Sequence, residues 1–494
     1  MKIIALRPLS IILGLLLFIA GTSAHPGGPA VDDGARARIE RYLDSLEVRG
    51  FSGTVLVEQH GSRVVERGCG WRDQSRGLKN TAATVFDIGS VTKQFTAAAI
   101  LTLEMQGKLR VEDTLGAYFP QAPAEKRGIT LHMLLRHASG LPSVIGGDFA
   151  QVSTTGFLDS LFRTPLLFTP GTRFSYSNVG YSLLAMIIQK VSGRSYEQYL
   201  YQHLWKPAGM ATTGYRRPHF DPGLIAVGYD RDGHAWGKPT DKPWGADGPF
   251  WHLKGNGGIL STVGDLARWH HALMGGKILS DAAKAKYYHP VLRPGEDEGS
   301  YYAYGWDVHR SSRNTPVYWH NGTNGVFYAD FARYPDDEAV IVVLMNHADP
   351  AFGGVLADLA GMLFDPAYMP TLPIPDNAAN RALTAALVSK AVDAGADSAF
   401  AAYARRSAGP DLIEFRVNQR GYDLLGENAY AKAIEVFRLN TLVFPRSGNA
   451  FDSLGEAYAA AGSTDLAIMC YKKSLELDPT NMNAVEVLKK LTAK

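Results

Sequence analysis

The residues best suited to chemistry stand in three short stretches: Ser90-Val91-Thr92-Lys93, Tyr176-Ser177-Asn178 and His320-Asn321-Gly322. A serine hydroxyl attacks a carbonyl only when a base takes its proton and donors await the oxyanion that forms. Ser90 opens a helical pattern, so its hydroxyl stands where unsatisfied N–H groups favour negative charge. Lys93 lies three residues on, on the same helical face, and can reach that hydroxyl. It can act as a base only if burial or neighbouring positive charge pulls it below its ordinary value of about 10.4. Tyr176 can relay a proton if a nearby cation stabilises its phenolate, and Asn178 offers two donors and an acceptor to a substrate amide. Gly322 lets a substrate approach the backbone, and the amide of Thr323 can pair with that of Ser90 as an oxyanion hole. Each stretch also has a plainer reading. The first could be a helix cap with a solvated lysine, and the second a cap before a helix at Val179. The third is loose, because His25-Pro26-Gly27 fits the same pattern.

These side chains need a frame that brings positions 90, 176 and 320 together. Ile39, Leu43 and Leu46 share one helical face over residues 36–49, and alternating runs at 51–59 and 63–68 around His60-Gly61-Ser62 predict a hairpin. Residues 317–319, 327–334 and 339–345 predict three consecutive strands, with turn signals at Asn321-Gly322, Asn324-Gly325 and Pro335-Asp336-Asp337. A helix leading into antiparallel strands predicts an α+β layout rather than repeating βαβ units. Helices are expected over 91–106, closed by Gly107, and over 179–191, closed by Ser192-Gly193. Residues 215–254, dense in Gly, Pro, Asp and aromatics, predict a long functional loop. Its Trp236, Trp244, Phe250 and Trp251 either wall a pocket or pin the loop down.

The surroundings of the motifs carry a family likeness. Residues 86–93, 129–142 (ITLHMLLRHASGLP), 174–181 (FSYSNVGY), 257–269 (GGILSTVGDLARW) and the closing strands resemble the serine β-lactamase and D-alanyl-D-alanine peptidase superfamily. The likeness is strongest to its class C-like branch, which also holds esterases and D-aminopeptidases, and it spans about residues 37–365. It implies an antiparallel sheet with flanking helices beside an all-helical subdomain, with the site between them. It also implies an acyl-enzyme on Ser90, proton transfer by Lys93 and Tyr176, substrate binding by Asn178 and Gly322, and an oxyanion held by the Ser90 and Thr323 amides. No metal or cofactor is implied. His320 completes the catalytic set where many β-lactamases have lysine. Histidine titrates near about 6.5 and is mostly neutral at pH 7, so anchoring of a substrate carboxylate is weakened. The implied chemistry shifts from penicillin turnover toward an amide, a D-amino-acid peptide or an ester. The alternative is a catalytically weak penicillin-binding or scaffold protein.

Other chemistries lack their residues. No serine has both glycines of Gly-x-Ser-x-Gly, His-Glu-x-x-His is absent, and Gly68-Cys69-Gly70 is followed by Asp73 where a dinucleotide fingerprint needs glycine. A formal charge of +2, with 46% hydrophobic and 20% charged residues, fits a globular chain and points to neither nucleic acid nor an anionic membrane as partner.

Lys2, Arg7, the apolar run 9–20 and Thr22-Ser23-Ala24 predict a secretory signal over 1–24 and a periplasmic or secreted protein. The run is shorter than the roughly 20 residues of a membrane span. An N-terminal segment over 25–36 would lead into a hydrolase domain at 37–365. The prolines of 366–376 mark a linker, 377–412 a helical connector, and 413–494 a small all-α domain. In that domain Gly421 matches Gly455, Ala433 matches Ala467, Phe437 matches Tyr471 and Pro445 matches Pro479, all at a period of 34. The pattern resembles the tetratricopeptide repeat, which would pack on the catalytic domain or bind a protein partner. Cys69 and Cys470 would either bridge the two domains or remain separate thiols.

Overall fold

The computed structural model describes residues 33–230, 232–292, 301–406, 409, 411–478 and 481–492. The expected signal, 1–24, and Pro479 of the repeat pattern lie outside the described residues.

Alternation and turn chemistry build the sheet. Gly53–Gln59 (β1) and Ser62–Cys69 (β2) form the expected hairpin, with His60 and Gly61 at φ 51° and 70°, the left-handed pair that a tight two-residue turn requires. Val291–Leu292 (β3), Tyr301–Tyr302 (β4) and Asp307–Arg310 (β5) are short. Pro316–Thr323 (β6), Tyr328–Tyr334 (β7) and Ala339–Met345 (β8) are the long strands near the C-terminal end of the hydrolase region. Together they make one eight-stranded sheet in the order β2-β1-β8-β7-β6-β5-β4-β3, antiparallel throughout. β8 reads AVIVVLM and is buried at every position, as a continuous apolar run between two other strands should be. One expectation needs correction. Asn321-Gly322 is not a turn but lies inside β6, paired with Asp330 and Ala329. The reversal falls at Asn324-Gly325, where Gly325 has φ 86°. Glycine in a strand can mark close approach of another backbone rather than a reversal, and that is its use here.

Helices cover both faces. On one, Asp33–Val48 (α1) lays Ile39, Leu43 and Leu46 on Val55, Val57, Ile341 and Val343. On the other, the core joins Leu56, Phe331 and Val342 to Thr92–Met105 (α2), Asn178–Ser192 (α3) and Val263–Met274 (α4). Val355–Phe364 (α5) returns to the α1 face with Leu359 and Met362. α2 is enclosed by protein from Thr92 to Leu103, and Ala97, Ala98 and Ala99 keep its girth small enough for that packing.

The chain after 376 is helical: Ala378–Ala394 (α6), Ala396–Ala404 (α7), Glu414–Gly426 (α8), Tyr430–Val443 (α9), Gly448–Ala460 (α10), Thr464–Leu477 (α11) and Met482–Thr492 (α12). A Cβ on Gly421 would lie 2.4 Å from the Phe437 ring, and one on Gly455 would lie 3.2 Å from the Tyr471 ring. The same small-against-aromatic contact therefore recurs at the period seen in the sequence. Arg416 clasps the buried Asp376 with Nε at 2.5 Å and Nη2 at 2.6 Å, Arg381 pairs with Asp232, and Arg49 with Asp411 at 3.7 Å. Cys69 and Cys470 are both free thiols. Among the described residues no helix is long and apolar enough to cross a membrane.

Candidate active site

The nucleophile turn is fixed from below. Phe86–Asp87 pairs with Leu260–Ser261, and Asp87 Oδ1 accepts the Gly89 N–H at 2.8 Å while its Oδ2 accepts Asn324 Nδ2 at 3.0 Å. Burial pushes the Asp87 carboxyl up to about 6 against the pull of those two bonds. Gly89 has φ 48° and interlocks with β6. A Cβ on Gly322 would lie 2.2 Å from the Ile88 carbonyl and 2.5 Å from the Ser90 nitrogen, and one on Gly89 would lie 2.5 Å from the Thr323 nitrogen. Two glycines in contact bring the Ser90 and Thr323 amides into one neighbourhood.

Lys93 has no exposed surface. Its Nζ lies 2.9 Å from Ser90 Oγ, 2.8 Å from Asn178 Oδ1 and 2.8 Å from the Asn256 carbonyl. Burial drives its pKa well below the ordinary value, with the charge of Asp148 opposing. A neutral amine has two N–H donors and one lone pair. Asn178 Oδ1 and the Asn256 carbonyl can only accept, so they take the two hydrogens and the lone pair faces the Ser90 hydroxyl.

The Tyr176 hydroxyl bonds Ser90, and burial raises it above the ordinary range, so it stands as a phenol rather than the phenolate considered from sequence. Lys93 Nζ lies 4.7 Å from its ring centroid. The ring stacks at 4.2 Å on His137, whose Nδ1 accepts the Ser177 N–H at 3.0 Å. Behind this pair stand Tyr302 and His320. The Tyr302 hydroxyl meets His320 Nε2 at 3.0 Å, and His320 Nδ1 meets the Asn321 carbonyl. A carbonyl only accepts, so Nδ1 carries the hydrogen and Nε2 accepts from Tyr302. His320 is 2% exposed. Its ring lies 5.9 Å from that of Tyr302 and 6.3 Å from that of Tyr176.

All seven residues singled out from sequence therefore gather here: Ser90, Lys93, Tyr176 and Asn178 in direct contact, Gly322 and Thr323 against the nucleophile turn, and His320 against the Tyr176 and Tyr302 rings. Sequence reasoning missed Asp87, His137, Asn256 and Tyr302. Asp87 and His137 lie in the family-like stretches 86–93 and 129–142 without a role read for them, and Asn256 left its signal in the Gly255-Asn256-Gly257-Gly258 run that lets backbone approach α2 and α3. Of the loop aromatics, Trp251 is buried and donates to Thr154 Oγ1 at 2.9 Å, Trp244 packs on Tyr215, and Trp236 packs on Phe149 and Phe327. These contacts pin the loop.

A serine, a buried amine and a phenol converge beside strand β6 and a helix start, an arrangement built for acyl transfer. Residues 35–363 match the beta-lactamase family, and the chain belongs to it. PbpX of Bacillus subtilis (strain 168) is 34% identical over 253 residues, 51% of this chain and 62% of PbpX. The chain thus spans less than two thirds of that relative. A penicillin-binding protein of the same organism is 30% identical over 330 residues, 63% of this chain and 72% of the relative. Among solved structures, D-amino acid amidase from Ochrobactrum anthropi SV3 with D-phenylalanine shares the fold, with a TM-score of 0.57 at 22% identity over 67% of this chain and 98% of the amidase.

Proposed function

We propose that this chain is an exported serine hydrolase that forms an acyl-enzyme on Ser90 and cleaves an amide, a D-amino-acid peptide or an ester. The observation that carries the reading is the hydrogen-bond count at Lys93. With both amine hydrogens committed to Asn178 and Asn256, its lone pair takes the Ser90 proton as Oγ bonds to the substrate carbonyl carbon. The carbonyl oxygen becomes an oxyanion between the Ser90 and Thr323 N–H groups. Tyr176 passes a proton to the leaving amine or alkoxide, the bond to it breaks, and water then hydrolyses the acyl ester by the reverse relay. Asn178 Nδ2 is left to meet the substrate, and His320 acts through Tyr302 as a positioning residue. The names of relatives, penicillin-binding protein and D-amino acid amidase, support substrates of peptide or amide type.

Export rests on the signal-like start, and the helices after residue 413 fit a tetratricopeptide-like module, either packed on the hydrolase domain or binding a protein partner. A turnover screen with nitrocefin, short-chain p-nitrophenyl esters and D-amino-acid amides, with a fluorophosphonate label on wild type and Ser90→Ala, tests the catalytic reading. Wild type should label and turn over, and Ser90→Ala should do neither. An unlabelled wild type would favour the scaffold reading.

A further inference from the structure

Two segments outside the three motifs, one of them from the 215–254 loop, close over Lys93. The first is 142–149. The Pro142 carbonyl accepts Ser177 Oγ at 2.8 Å, and the Ser143 carbonyl accepts the Asn178 N–H at 3.0 Å, so the segment is stapled to the start of α3. The second carries His252, whose carbonyl accepts Asn256 Nδ2 at 2.9 Å, next to the Asn256 carbonyl that holds Lys93. The segments touch at Gly146, where a Cβ would lie 2.4 Å from the His252 ring. Phe149 packs on Trp236 at 5.6 Å. Between these anchors stands Asp148, half-buried, within electrostatic reach of both Lys93 and His252. Among the described residues no cation lies within ion-pair distance of its carboxylate.

We propose that Asp148 anchors a subsite for a protonated amino group, so that substrates with a free α-ammonium beside the scissile carbonyl are preferred to their N-acylated counterparts. This rests on the serine hydrolase reading above. An α-amino nitrogen is two bonds from the carbonyl carbon. With that carbon at Ser90 Oγ and its oxygen between the Ser90 and Thr323 amides, an acyl group directed toward Lys93 and Asn178, which meet at the Ser90 hydroxyl, carries the nitrogen into the electrostatic reach of Asp148. An ammonium is tolerated there because Lys93 is held neutral, and burial also lowers the His252 pKa below its ordinary value. Burial also raises the Asp148 pKa against the pull of Lys93 and His252, so a cation brought beside it restores the carboxylate. A half-buried carboxylate with no cation of its own gains most from one brought by the substrate.

The test measures how much D-alaninamide or D-phenylalaninamide, each as the free amine and as its N-acetyl form, is needed to halve the rate of fluorophosphonate labelling at Ser90. Wild type should be protected at lower concentrations by the free amines. Asp148→Asn should reduce that preference about tenfold to a hundredfold, the range for one hydrogen bond to a charged group, and Asp148→Glu should restore much of it. Each comparison is internal to one protein, so a partly folded variant does not mimic the effect. An unmoved preference in Asp148→Asn, a wild type protected equally by both forms, or protection by neither overturns the proposal while leaving the labelled Ser90 intact. A wild type that takes no label brings down the hydrolase reading with it.

Discussion

At the scale of single residues, the site works by keeping ionisable groups in unusual states, and Asp87 is the one whose titration is most exposed to experiment. As a carboxylate it accepts from Gly89 on one oxygen and Asn324 on the other. Protonation turns one of those acceptors into a donor facing a donor, and the turn carrying Ser90 loosens. Its folded value of about 6 lies above the ordinary 3.8, so the ionised form is the one that folding disfavours. Two opposite pH trends follow. The stability this group lends is full below its unfolded value and is lost as pH rises through about 6, whereas acylation is lost as pH falls through about 6. Lys93 adds to the second trend, since a protonated amine has no lone pair for Ser90. Asp87→Asn separates the two, because its amide places an N–H permanently against one donor. Ester turnover by this variant should fall about ten- to hundredfold at pH 8, the cost of an unmet buried donor, and should lack the wild-type step near pH 6. A step that survives in Asp87→Asn would assign it to Lys93 instead.

At the scale of elements, the decisive contact is strand β6 against the turn before α2. Gly322 is required there by space, since Ile88 and Ser90 backbone atoms occupy the position of any Cβ. Gly322→Ala should push β6 from the turn, separate the Thr323 amide from Ser90, and lower kcat by about 10²–10³, the usual loss of one oxyanion donor. The overlap should also cost about 1–3 kcal/mol of stability. Gly276→Ala, at a glycine with nothing within 4 Å, should change neither kcat nor the melting temperature. This contact also marks where the sequence was legible and where it was not. Ser90, Lys93, Tyr176 and Asn178 could be read because acyl transfer restricts residue type, and β8 because an all-apolar run leaves few choices. Asn321-Gly322 was misread as a turn because a glycine that admits another backbone looks, locally, like one that reverses the chain. β3 and β4, two residues each, are too short to carry a period. Asn256 and Asp148 come from irregular segments whose places are set by contacts far away in sequence, of Asn256 with Lys93 and Ser182 and of 142–149 with Asn178 and His252, and a glycine run alone does not encode those.

At the scale of the whole molecule, the hydrolase region and the C-terminal helices have separate apolar cores. One centres on the sheet, α2 and α3, and the other on Leu387, Val388, Phe437 and Leu454. Charged contacts join them: Arg416 on Asp376, Arg381 on Asp232, and Arg49 on Asp411. Asp376 is the hinge of this arrangement, because its N–H also donates to Asp349 Oδ2 at 2.9 Å, tying the α6 entrance to the sheet domain. Its side chain is 1% exposed against 33% for Arg416, so removing the arginine strands a buried carboxylate. Breaking a fully buried pair costs about 3–5 kcal/mol, and the partial exposure of Arg416 with Arg381 Nη1 at 3.9 Å brings the expectation toward the lower end. Calorimetry should resolve two transitions, as separate cores joined through polar contacts allow. Arg416→Ala should lower the one belonging to the C-terminal helices and leave the hydrolase transition and Ser90 labelling in place. Replacing both partners, in Asp376→Asn with Arg416→Ala, should recover part of the loss because no charge is left buried alone. Should Arg416→Ala shift both transitions together, the helices would be part of what holds the active site in shape, and the polar clasp would be transmitting their stability to the sheet.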